Sequence, residues 1–116
     1  MSDTDKREEH PYHRKFIRHR VRVKIEVQNG KSYNAWTINI SEEGLCFEIS
    51  SQLPVGTNVV VWIYLSRIKE DEPVVAVAEV MWTDKGKKHF RHGGQFVEYS
   101  GNGRDRLASW LKVPSV

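Results

Sequence analysis

Cysteine occurs once in these 116 residues, as Cys46, so no disulfide can close within the chain. The one thiol lies in the apolar stretch "GLCFEI", where it reads as a buried structural side chain rather than a reactive nucleophile. No apolar run approaches membrane-spanning length, and the first residues are charged rather than a signal peptide, which points to a soluble cytoplasmic protein. The five histidines, His10, His13, His19, His89 and His92, form no HxxxH or HExxH pattern, so no zinc site and no other metal is expected. His89 and His92 read as part of a solvated hairpin. Ser41 and Ser109 lack a nucleophile elbow, and the runs Glu42-Glu43 and Glu70-Asp71-Glu72 look like exposed turns rather than paired acid and base. No GxxxxGK[ST] phosphate loop is present. These absences remove the usual enzyme classes and leave a binding protein without a cofactor.

What is present is one modest domain's worth of core, with 39% apolar residues and four each of Trp, Tyr and Phe. The net charge of +3 is unevenly spread: residues 1 to 24 hold eight Lys/Arg against four Asp/Glu, and the remainder is near neutral. A basic N-terminal segment on a near-neutral body suits either simple solubility or an anionic partner that touches that segment. Residues 1–12 are polar and are expected to form a flexible tail, with the folded domain over 13–112 and a short tail at 113–116.

Strand signals follow in series. Val21, Val23, Ile25 and Val27 alternate with Arg20, Arg22, Lys24 and Glu26, which predicts a strand over about 20–28 with the charged face in solvent. Asn29-Gly30 marks a hairpin in which both residues tolerate positive φ. In "SYNAWTINI" Tyr33, Ala35, Thr37 and Asn39 share one face, so Asn39 and Ser41 are expected to project to the same side. "LCFEIS", "VVVWIYL", "PVVAVAEVMW" and "HGGQFVEY" supply four further strands, separated by "SQLPVGTN", "SRIKEDE" and "TDKGKKHF". Strict alternation places Trp82 with Val74, Ala76, Ala78 and Val80. Leu107, Trp110 and Leu111 have helical spacing behind Asn102, a suitable N-cap, and would cover an open end or seam. Six short strands and one helix predict a small antiparallel barrel or sandwich.

Two segments carry binding chemistry: Arg14-Lys-Phe-Ile-Arg18 and Asn39-Ile-Ser41-Glu-Glu-Gly44. Alone, the second is also a recipe for a turn, with Asn and Ser bonding local backbone and Gly44 supplying an unusual φ. Arg18 and Arg22 make a second RxxxR spacing, but Arg22 falls on the solvated face of the strand with Arg20 and Lys24.

Taken together and in this order, the two segments resemble the PilZ domain family, whose pattern is RxxxR before the first strand and [D/N]xSxxG at a turn about twenty residues later. "VMW", "GGQF" and the closing helix agree, over about residues 12 to 112. The resemblance implies an all-β fold, a six-stranded antiparallel β-barrel with a short C-terminal α-helix. It also implies a receptor for the bacterial second messenger cyclic di-GMP, bound through Arg14, Arg18, Asn39, Ser41 and Gly44. Gly93 occupies a position near the ligand in the family; read on its own it is equally a bulge in the sixth strand. His13 and Lys15 flank the arginines and can add contacts to a second messenger molecule. Asn39 stands where many members have Asp, which keeps an acceptor oxygen and drops a charge.

The physical chemistry agrees. Each guanine offers O6 and N7 as adjacent acceptors to a guanidinium fork, and each phosphate takes two parallel charge-assisted bonds. Binding is then expected to order the arm and signal to an unknown downstream protein partner, with no membrane or nucleic acid involved. The alternatives are a PilZ-like adaptor with weak or no nucleotide binding, and a small β-barrel that binds RNA or single-stranded DNA.

Overall fold

The computed structural model describes residues 22–65 and 72–112. The described residues run through β1 (Lys24–Asn29), β2 (Lys31–Ile40), β3 (Gly44–Ile49), β4 (Asn58–Tyr64), β5 (Val74–Lys85), β6 (Phe90–Tyr99) and the helix α1 (Gly103–Lys112). Every neighbouring strand pair is antiparallel, and the order β1-β2-β3-β6-β5-β4 closes on itself through β1 and β4. Closure leaves no free sheet edge among these strands.

Period-two patterning produces the core. Ile25 and Val27 of β1, Leu45, Phe47 and Ile49 of β3, Val59, Val61 and Ile63 of β4, and Val74, Ala76, Ala78 and Val80 of β5 all point inward and are buried. Leu107 of α1 is fully buried and joins the same cluster, with Trp110 and Leu111 packed at its margin. Leu107 to Trp110 and Leu111 is the i, i+3, i+4 stripe that a helix lays on a core.

Turns follow their glycines in two places. Gly30, at φ 74°, bends the β1–β2 hairpin, whereas Asn29 keeps negative φ and pairs with Lys31. Gly56, at φ 95°, sits in the β3–β4 connection, where its N–H donates to the carbonyl of Val80. At the β5–β6 tip the N–H of Gly86 donates to the carbonyl of His89.

Two departures from alternation matter for function. The β2–β3 register shifts between Thr37 and Asn39, so Ile38 is an extra residue, Ile40 faces the core and Asn39 faces outward. The β5–β6 register shifts between Val80 and Trp82, which takes Trp82 off the inner face that simple alternation assigns it. A third shift, between Val77 and Ala78, places its extra residue, Val97, in β6. His92 also differs from expectation. It is not part of a solvated hairpin but is fully buried, its ring 5.1 Å from that of Phe47 and inclined by 15°.

Candidate functional site

The first described residues fix where the chain enters the barrel. The N–H of Val23 donates to Thr37 Oγ1, and the N–H of Thr37 donates to the Val23 carbonyl, each at 2.9 Å. The chain therefore joins the barrel beside the β2 bulge, one residue from Ile38 and two from Asn39. Arg14 and Arg18, with His13 and Lys15, lie outside the described residues.

Past the bulge, β2 ends in a turn held on several sides. Ser41 is fully buried, and its Oγ accepts the N–H groups of Glu43 (3.0 Å) and Gly44 (3.3 Å). The Ser41 N–H donates to the Gly44 carbonyl at 2.8 Å. From β6, the N–H of Phe96 donates to the Glu43 carbonyl at 2.8 Å, and the Tyr99 hydroxyl donates to the Glu42 carbonyl at 2.6 Å. Burial pushes the Tyr99 phenol far up, so it stays a donor across the usable pH range. Arg104 of α1 lies 3.6 Å from the Glu42 carboxylate. Ser41 thus does not project beside Asn39 as strand parity predicts, because it stands after the strand ends and its hydroxyl turns into the turn.

Gly44 is required for a different reason than the one expected. Its φ is not positive; a Cβ there would lie 2.1 Å from the carbonyl oxygen of Gly94. The missing side chain lets β3 and β6 approach.

Outward from the turn, one row crosses four strands: Asn39 pairs with Cys46, Cys46 with Gly93, and Gly93 with Trp82. The row spans about 14 Å at the usual strand spacing. A Cβ on Gly93 would meet the Trp82 indole nitrogen at 2.0 Å, so the indole lies across the glycine on the outer face. Gly93 is not itself bulged; the extra residue opposite it belongs to β5. Cys46 is buried in this row, as its apolar context predicts.

Beside Asn39 an open cleft of about 610 Å³ runs over β2, walled by Arg22, Trp36, Ile38, Asn39 and Glu48. Trp36 and Ile38 are 50% and 38% exposed, an adjacent apolar pair on an otherwise polar face. The Arg22 guanidinium carbon stands 5.7 Å from the Trp36 ring centroid, within cation–π range. Arg22 is exposed as the alternation predicts, yet it walls a cleft rather than standing alone in solvent. The spacing of Trp36 and Arg22 gave no sign of this, because fourteen residues separate them and only the β1–β2 hairpin joins them. Among the described residues no three His, Cys, Asp or Glu side chains are grouped to hold a metal, and no helix is long and apolar enough to cross a membrane.

Comparison with known proteins completes the assignment. None of the curated proteins compared with the chain matches it. Among solved structures, the Bacillus subtilis inhibitor of motility MotI (DgrA) is similar with a TM-score of 0.74 at 14% identity, over 85% of this chain and 49% of that one. The chain therefore spans about half the length of MotI. The PilZ domain of Escherichia coli YcgR with c-di-GMP is similar with a TM-score of 0.63 at 11% identity, over 86% of this chain and 88% of that one. The structure of YcgR in complex with c-di-GMP gives 0.63 at 11% identity, over 84% of this chain and 44% of that one. These likenesses show the fold. The PilZ domain profile matches residues 12–112, nearly the whole sequence, and on that match the chain belongs to the PilZ domain family.

Proposed function

We propose that this domain is a receptor for cyclic di-GMP, clamping the messenger between the segment that carries Arg14 and Arg18 and the outer wall of the barrel. One observation carries the reading: the β2 bulge turns Asn39 outward, into the row shared with Gly93, at the place where the N-terminal segment joins the barrel. An extended chain covers about 3.3–3.6 Å per residue. Arg18, four residues before Arg22, can therefore reach about 13 Å from it, and Arg14 about twice as far. Both ranges include Asn39. Family membership and the messenger bound by YcgR support the same ligand.

Within this reading Arg14 and Arg18 present planar forks to guanine acceptors and phosphate oxygens. Asn39 offers its carbonyl to a guanine N–H. Ser41 contributes through the turn that it holds and through its hydroxyl proton, and Gly44 through the strand approach it permits. His13 and Lys15 flank the forks and add contacts to a second messenger molecule. The domain acts by binding rather than catalysis, in the cytoplasm, and passes the signal to a protein partner through the changed surface of the N-terminal segment.

Calorimetry with purified protein tests this. A hydrogen bond to a charged group contributes about 1.5–3 kcal/mol, so Arg14→Ala or Arg18→Ala should weaken binding roughly ten- to a hundredfold. Lys at either position should restore little, since it lacks the fork. No heat with wild type, or equal affinities for wild type and both alanine variants, refutes the proposal.

A further inference from the structure

The cleft over β2 contains more recognition chemistry than Asn39 alone. Arg22 and Glu48 stand in its walls with Asn39, and Trp36 and Ile38 give it an apolar surface. Arg22 rests by its carbon at 5.7 Å from the Trp36 ring centroid. A guanidinium held over a ring at this distance has its N–H donors directed in its own plane, where an acceptor pair can meet them. Glu48 is an acceptor; its Oε2 lies 4.0 Å from Arg91 Nε, a loose pairing that leaves capacity over.

We propose that this cleft is a guanine pocket in which Arg22 reads the O6/N7 edge while Asn39 and Glu48 accept from the N1 and N2 donors. The proposal rests on the receptor reading and extends it by assigning a base-specific residue outside the Arg14/Arg18 pair. Charge decides between base and phosphate. The cleft holds a carboxylate beside its guanidinium, and Glu48, only loosely paired with Arg91, disfavours a phosphodiester against it. Guanine, neutral with acceptors on one edge and donors on the other, matches the set. The exposed Trp36 and Ile38 supply apolar contact for its faces, which a phosphate does not need.

The test uses cyclic di-GMP and its 7-deaza-guanine analogue, in which N7 is replaced by C–H, against wild type and Arg22→Ala. Arg22 is exposed, so the variant should fold, and its circular dichroism checks that it does. Arg22→Ala should bind cyclic di-GMP about tenfold more weakly than wild type. The analogue should bind wild type several-fold more weakly than the parent, and this penalty should shrink at least threefold in Arg22→Ala. Equal affinity of wild type and Arg22→Ala for the parent overturns the proposal. So does an undiminished deaza penalty in the variant, which would mean that Arg22 serves phosphate alone. A wild type that binds neither compound removes the receptor reading and this inference together, whereas the other two failures leave the receptor reading standing.

Discussion

His92 lies in the barrel interior, where its Nε2 accepts the N–H of Leu53 at 2.9 Å. Burial lowers its pKa below the usual histidine value of 6.5, and a weaker opposing influence from the Phe90 backbone does not reverse this. Among the described residues none faces Nδ1 with hydrogen-bonding geometry. The neutral ring is therefore the folded form, since a proton on Nε2 would remove the acceptor that Leu53 needs. As pH falls through 6.5, the unfolded chain takes up a proton that the folded chain refuses, so stability present above that pH is progressively lost below it. Urea midpoints should fall between pH 7.5 and 5.5 for wild type. They should fall less for His92→Gln, whose amide can accept from Leu53 but does not titrate. Parallel pH profiles for the two proteins would show that His92 contributes nothing to the slope. This arrangement was not legible from the sequence, because Leu53 and His92 are 39 residues apart and only the closed sheet makes them neighbours. Cys46, by contrast, was legible, since a thiol inside a six-residue apolar strand has few other fates.

Six strands appear in the order that the sequence patterns predict, although the first begins at Lys24 rather than near residue 20. The bulges were not legible, since an extra residue carries no compositional mark and simply reverses the parity of all that follows. That reversal accounts for the site: alternation alone assigns Asn39 to the core beside Thr37 and Trp82 to the core beside Val80. A deletion separates the two effects. Removing Ile38 takes out the extra residue and leaves Thr37 opposite Phe47, Asn39 opposite Cys46 and Ile40 opposite Leu45. The barrel should then melt close to wild type. Removing Trp36 from the regular part of β2 shifts one side of the strand by a residue. It must then expose Ala35 or Thr37, or else break pairing with β1, so its melting temperature should drop well below that of the Ile38 deletion. Equal melting temperatures would mean that the register of β2 is not set by its inward faces.

At the scale of the whole molecule, the barrel is a closed and covered body, with α1 sealing its core through Leu107 and the cleft over β2 left open. Its outer wall supplies acceptors and apolar surface but few guanidinium forks, which the sequence concentrates ahead of β1. The two halves of the proposed clamp are thus covalently joined at Val23 yet chemically distinct, and the motif in the sequence named both without showing which face joins them. The Val23–Thr37 bonds show only where the described chain enters the barrel, beside the β2 bulge, and the proposed clamp rests on that point. If the messenger closes the clamp, the backbone around Arg14, Lys15 and Arg18 becomes engaged at the moment of binding. Trypsin, which cuts after these residues, reports on this directly. Saturating cyclic di-GMP should slow cleavage at all three sites at least several-fold, and should do so less in Asn39→Ala, which retains the arginines but loses their counterpart on the wall. A protein that binds the messenger by calorimetry while trypsin cuts after Arg14, Lys15 and Arg18 at an unchanged rate would hold its ligand on the barrel alone, with the N-terminal segment taking no part in the signal.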